Sequence, residues 1–323
     1  MKKTLIVAAV SALAAGSALA QSSVTIYGRV NVTAERQDNA GIKTYKLVNN
    51  ASRIGFKGTE DLGGGLKANF ILEHGFNIDT GAASQTAFWA RQSEANLAGG
   101  FGMVRLGNFT SEAYYATADY VSMHNHDTGP SSDALYAYVS RNTNKIAYRA
   151  PEFVKGLSLE GAVSAGEGAA NQTRAYDFAA NYALGGLQLG MGAARNNQAE
   201  QYAVRALYEF GSLVLGGYVQ RDKNGYDGRV APTYSSKALG NRTTYRLSGA
   251  YMLGKSEFHM NFGSAGDYSK ISNSSAKQFT VGYNYNLSKR TKVYGYYTKV
   301  DDSVAKVYGG DFSSIALGLR HNF

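Results

Sequence analysis

The chain has 323 residues, 33 basic against 24 acidic side chains, only 18% charged residues, 38 Gly, 24 Tyr, 3 Pro and no Cys. The absence of cysteine excludes disulfide frameworks, Cys-ligated zinc and thiol nucleophiles. Low charge and slightly negative mean hydropathy exclude a helical membrane protein, while abundant Gly and Tyr favour a β-protein with many turns and aromatic contacts to an interface.

Residues 1–20 read as a secretory signal peptide. Lys2 and Lys3 form the positive start, Thr4 to Gly16 a short apolar and small-residue run, and Ala18-Leu19-Ala20 an A-x-A cleavage site. Removal after Ala20 leaves residues 21–323 as one domain, with 31 basic against 24 acidic residues, an excess of seven.

From there the chain alternates. Val24, Ile26, Val30 and Val32 fall on one face, and Thr25, Tyr27, Arg29 and Asn31 on the other. Period 2 marks a strand with one apolar and one polar face. The pattern returns in Ala68, Phe70 and Leu72, in Tyr202, Val204, Ala206 and Tyr208, in Phe279, Val281 and Tyr283, and in Ile315, Leu317 and Leu319. The predicted segments are 22–36, 52–61, 65–78, 85–98, 101–109, 143–150, 156–166, 174–184, 187–196, 200–210, 213–222, 241–253, 256–267, 276–287, 291–300 and 312–323. Each is about ten residues, the length of a tilted membrane strand.

Short turns such as Gly63-Gly64-Gly65 and Gly185-Gly186 alternate with longer connections near 37–51, 79–84, 110–142, 197–199 and 223–240. Short turns on one side and long loops on the other are the pattern of an outer-membrane barrel. Closure follows because a lipid-facing sheet cannot leave backbone groups unpaired at an edge. The expected fold is therefore all-β: a transmembrane antiparallel up-and-down β-barrel of about sixteen strands. Its lumen is too wide for side chains to fill.

The polar phases carry Arg29, Arg53, Lys57, Lys67, Arg105, Lys145, Arg149, Arg205, Arg242, Arg246 and Arg320. Opposing them are Glu35, Glu73, Glu94, Glu160, Asp177, Glu209 and Glu257. Such an excess of cations around a watery lumen predicts a preference for anions. Glu60-Asp61 and Asp301-Asp302 read as solvated turn acids, and His124-Asn125-His126-Asp127 is a low-specificity metal signal. No nucleophile, HExxH or phosphate-loop motif is present, so no catalytic residue, metal, cofactor or nucleic-acid partner is expected.

Several blocks resemble the trimeric general porins of Gram-negative bacteria, the β-proteobacterial type above all. They are Ser23-Val24-Thr25-Ile26-Tyr27-Gly28, the run from Ser52-Arg53-Ile54-Gly55-Phe56-Lys57-Gly58 through Ala68, Gly102-Met103-Val104-Arg105-Leu106-Gly107, and the terminal Leu317 to Phe323. The resemblance covers the whole chain. It implies an outer-membrane homotrimer that passes small hydrophilic solutes and anions passively, amid lipid and lipopolysaccharide, with Phe323 as the assembly signal. It also implies that the connection at about 110–142 folds inward as a constriction loop, carrying Glu112, Asp119, Asp127 and Asp133. The family's basic wall carries over to Arg53, Arg91 and Arg141, to which strand parity adds Lys57, Arg29 and Arg105. Rival readings are a channel specific for phosphate or a dicarboxylate and, more remotely, a barrel enzyme.

Overall fold

A computed structural model describes residues 23–119, 121, 129–168, 173–225, 231, 234 and 238–323. Asp127, the histidines at 124 and 126 and the signal segment lie outside the described residues. The strands are β1 (Ser23–Asn39), β2 (Ile42–Asn49), β3 (Arg53–Gly63), β4 (Leu66–Gly75), β5 (Gln92–Gly99) and β6 (Gly102–Asn108). Next come β7 (Lys145–Arg149), β8 (Leu157–Ser164), β9 (Ala175–Leu184), β10 (Leu187–Asn196), β11 (Ala199–Phe210) and β12 (Leu213–Lys223). Last are β13 (Asn241–Leu253), β14 (Ser256–Ala265), β15 (Ala276–Asn286), β16 (Thr291–Asp302) and β17 (Phe312–Asn322).

Every neighbouring pair is antiparallel, and β1 pairs with β17, so the sheet closes on itself. β2 and β3 are one wall strand. The upper half of β1 pairs with β2 (Val32↔Asn49) and the lower half with β3 (Arg29↔Arg53), across an interruption at 50–52 where Ala51 has φ 58°. The wall therefore has sixteen strands. No helix among the described residues is long and apolar enough to cross a membrane.

Two sequence expectations are corrected. Segment 37–51 is not a loop: β1 continues to Asn39, turns at Ala40-Gly41 and returns as β2. Both turn residues have positive φ (51° and 90°), the requirement of the tight hairpin turn that matches strand twist, and Asp38 Oδ1 accepts from Gly41 N at 2.9 Å. An alanine in the left-handed region hides this turn from a residue-type reading. The fourth wall strand begins at Gln92 instead of 85, because the connection before it carries Phe88 and Trp89 onto the outer face. There Trp89 packs edge-on against Phe56 at 6.2 Å, and Phe88 stacks on His74 at 4.0 Å.

The inside/outside phase follows the alternation. Asn31, Thr33 and Glu35 are buried on the lumen side of β1, while Val24 and Ile26 are 65% and 60% exposed on the outside. Val281, exposed near the middle of β15, lies beside the outward Met260 and Tyr297. Val281→Arg should thus cost about 2–4 kcal/mol of barrel stability. Ser158→Arg, on the lumen phase of β8, should cost far less. Urea midpoints after refolding into vesicles check the pair, and equal losses would contradict the assigned phase. Asn284 is also inward, but it is buried against Glu257 and His259 and is no permissive site.

The last residue helps to close the barrel. Gly28 N donates to Phe323 O at 3.0 Å, Phe323 N donates to Gly28 O at 3.1 Å, and a Cβ at position 28 would lie 2.3 Å from the Phe323 ring. Deleting Phe323 removes both hydrogen bonds and the ring that fills the glycine gap. Heat-modifiable protein in outer-membrane fractions should fall severalfold, and an unchanged yield would count against this role.

Candidate functional site

The segment between β6 and β7 turns into the lumen. Its outgoing leg is a helical turn, Glu112–Tyr114, capped by Ser111 Oγ, followed by a π-type turn, Tyr115–Asp119. Two glycines let this leg approach the wall. A Cβ at Gly190 would lie 1.8 Å from Ala116 O, and one at Gly192 2.5 Å from Ala113 O. β10 therefore presents bare backbone where the loop lands.

The return leg, 132–142, is held by three buried wall glutamines. Gln278 (β15) accepts from Ala134 N at 2.9 Å and donates to Ser132 O at 2.8 Å. Gln220 (β12) accepts from Ala137 N at 2.8 Å and donates to Ala137 O at 2.9 Å. Gln201 (β11) accepts from Val139 N at 2.8 Å and donates to the Tyr136 hydroxyl at 2.9 Å. These amides act as surrogate strand neighbours, satisfying an extended backbone that has no sheet partner.

Two arginines complete the anchor. Arg246 Nη2 donates to Asp133 Oδ1 at 2.7 Å and also to Gln278, and Tyr218 donates to the other Asp133 oxygen. Arg242 donates to Leu135 O at 2.9 Å and to the Tyr308 hydroxyl, and its guanidinium lies 4.2 Å over the Tyr268 ring. Both are 1% exposed. Parity puts them inward correctly, but they lie beneath the loop and do not line the water path. Asp133 likewise faces the loop's own supporting wall.

The loop leans on β9 to β16, and the wall of β1 to β6 faces it across the lumen. There Arg91 Nε lies 2.7 Å from Glu73 Oε1, and Arg53 Nε 3.6 Å from Glu73 Oε2. Arg91 precedes β5, so strand parity does not govern it. It reaches the lumen while Gln92 also points inward and donates to Glu94. Arg29 stands opposite Arg53 in register and donates to Asn322, and Lys57 lies 5.3 Å over the Tyr27 ring nearer the periplasmic end. Burial pushes the Tyr115 phenol up, aided by the negative charges of Asp119, Glu112 and Glu73.

Arg105 and Glu112 belong to a compensated network. Arg105 bonds Glu94 (2.8 Å), Glu112 (2.9 Å) and Glu160 (3.0 Å), while Arg149 reaches Glu112 at 2.7 Å and Glu160 at 2.9 Å. Lys145 pairs with Asp177 at 3.0 Å. Arg141 stands apart from Arg53 and Arg91, on the loop's side of the lumen. Its guanidinium donates to Thr173 O, Ala165 O and Asn196 Oδ1 above β8 to β10. Asp119 lies half-buried at the end of the outgoing leg. The turn acids also have local roles: Asp61 accepts from Gly63 N, and Asp302 from Tyr308 N and Gly310 N.

The three glutamines are what the sequence reading missed. They sit on the polar phase as predicted, but a tally of charges passes over neutral amides.

Residues 7–305 match a family model described as Gram-negative porin. The chain is 33% identical to outer membrane porin protein 32 of Delftia acidovorans and 28% identical to the major outer membrane protein P.IB of Neisseria meningitidis, covering all of both chains in each case. Among solved structures it is similar to an anion-selective porin from Comamonas acidovorans, with a TM-score of 0.77 and 25% identity over 94% of this chain and 100% of that one. The Salmonella typhi OmpF structure, at 17% identity over 93% of this chain and 97% of that one and a TM-score of 0.73, shares the fold.

Proposed function

Because the chain belongs to the Gram-negative porin family, outer-membrane barrels that pass solutes by passive diffusion, we propose that its channel prefers anions and that Arg53 and Arg91 set this preference. One observation carries the reading. Arg53 and Arg91 share a single carboxylate, Glu73, whereas the loop's Glu112 is met by both Arg105 and Arg149. Around Glu73, two cations thus stand against one acid. Arg29 and Lys57 extend this excess along the same wall, and Arg141 adds a charge on the loop's side. Charges in a narrow, low-dielectric section act on every passing ion. The similar Comamonas protein is itself titled anion-selective.

The reading takes residues 1–20 as a cleaved signal and 21–323 as one barrel, and it assigns no catalytic step. It also takes the working form as a homotrimer. The outer aromatic group of Phe56, His74, Phe88 and Trp89, with Val24 below it, supplies an apolar face suited to subunit contact. Reconstitution in a planar bilayer under a salt gradient tests the proposal. A zero-current potential of anion sign and closure in three equal steps are expected. A potential of cation sign would overturn the selectivity, and single-step closure the trimer.

A further inference from the structure

A cavity of about 540 Å³ opens at the extracellular end of the barrel, between the loop and the wall where β1, β16 and β17 meet. That volume lies within the range of small-molecule sites, about 300–1,000 Å³. One side is the turn at the head of the loop's return leg, with Ser132, whose carbonyl Gln278 holds at 2.8 Å. The other side is wall: Gln37 and Asn39 from the end of β1, Val300 from β16 and Phe312 from β17. Tyr308, in the connection between the last two strands, completes it. Among the described residues, no charged side chain lines the cavity.

The charged groups that touch this lining are committed elsewhere. The buried Glu35 carboxylate accepts from the Thr33 hydroxyl at 2.6 Å, Tyr296 at 2.7 Å, Gln37 Nε2 at 2.8 Å and Ser314 at 2.9 Å. Four donors on its four lone-pair sites leave little to offer a solute. Arg242, behind Tyr308, is sealed and spends its guanidinium on Leu135 O, the Tyr308 hydroxyl and Asp222. Asp133, between Ser132 and Ala134, pairs with Arg246, and Asp302 accepts from Tyr308 N and Gly310 N. The eyelet cations are farther off. Gln37 stands eight residues above Arg29 on the same phase of β1, about 26 Å along the strand. Charges in water are screened within about 8 Å at physiological salt. The cavity is thus a neutral compartment above a charged wall.

What it offers is rings and amides. Phe312 and Tyr308 are half-buried and pack on the cluster of Val300 and Ala134, leaving part of each side chain to the cavity. Because a carboxylate only accepts, Gln37 must turn its N–H side to Glu35, and its carbonyl oxygen makes no side-chain hydrogen bond among the described residues. The Asn39 amide is exposed and likewise unengaged among them. An aromatic face beside a rim of neutral donors and acceptors matches a pyranose. Its C–H face packs on an aromatic ring, and its adjacent hydroxyls both donate and accept. We infer that this cavity is a binding site for an uncharged sugar, with Phe312 as its platform and Gln37 and Asn39 as hydroxyl partners. An occupant bridges the loop to the wall and slows ionic current while bound. The inference rests on the chain forming an open pore and is independent of the sign of its selectivity.

Single-channel recording with maltose in the bath tests it. Wild-type current should show brief partial closures whose frequency rises with maltose and whose occupied fraction saturates. A polyethylene glycol of equal mass, with neither a ring face nor paired hydroxyls, should give none. Phe312→Ala should shorten each closure about five- to tenfold, the worth of one aromatic contact. Asn39→Ala alters an exposed side chain outside the Glu35 network and should shorten closures about fivefold, so the test survives if Phe312→Ala misfolds. Glucuronate, a similar ring carrying a carboxylate, should not compete with maltose at equal concentration. No closures with maltose, closures of equal length with the polymer, or closures unchanged in both variants would overturn the site. Competition by glucuronate would overturn its preference for an uncharged ligand. Arg53→Glu should move the zero-current potential and leave closure length unchanged, so a failure of the selectivity reading and a failure of this site are read separately.

Discussion

Arg53→Glu should carry the zero-current potential from the anion side toward the cation side, by more than any substitution at the channel mouth. Two unit charges about 5 Å apart interact by about 0.8 kcal/mol in bulk water, so reversing one changes a passing ion's energy by about 1.6 kcal/mol, on the order of tenfold in local concentration. Lys270→Glu, on an exposed extracellular loop, is screened within about 8 Å at physiological salt and should move the potential little. Glu73→Gln supplies the opposite sign: it removes the negative charge that both Arg53 and Arg91 meet and should raise the anion preference. Arg105→Gln separates position from charge. Its side chain is 9% exposed among three carboxylates, so its loss should appear in barrel stability first. A potential unmoved by Arg53→Glu would sink the assignment.

Period-2 alternation carries the wall. Each strand's phase is set by whether a residue meets lipid or lumen, a local property that the sequence displays. The same phase orients Arg53 and Glu73, so half of the eyelet was legible. What alternation cannot display is which inward residues the loop covers. Asp133 and Arg246 are 113 positions apart, and Ala134 and Gln278 are 144 apart. Nothing local distinguishes Arg246 from Arg53, although one is sealed under the loop and the other faces it. Arg91 was legible only through the resemblance: it lies just before its strand, where parity has no meaning. The hairpin at Ala40-Gly41 escaped because its turn conformation is carried by an alanine, a residue that rarely adopts it.

The loop's hold on the wall makes the last prediction. Asp133→Asn should release the return leg, giving larger and noisier single-channel currents with weakened selectivity. The anchor is charged and buried: Arg246 donates to Asp133, and both are nearly inaccessible. Removing one partner of such a pair leaves a buried charge uncompensated, at a cost of about 3–5 kcal/mol. Gln220→Leu removes two neutral hydrogen bonds to Ala137, each worth about 1 kcal/mol net, and should disturb the current much less. The pH dependence has a definite sign. Burial alone would push the Asp133 carboxyl up, but Arg246, the Tyr218 hydroxyl and Leu135 N–H outweigh it and hold the carboxyl below its ordinary 3.8. A depressed carboxylate contributes stability above its unfolded value and loses it only as pH falls through the folded one. Wild-type currents should therefore stay quiet down to about pH 4 and become noisy below it. Asp133→Asn should be noisy at every pH, because the charge that acid removes is already gone. Quiet currents from that variant at neutral pH would mean that the glutamines hold the loop without the ion pair.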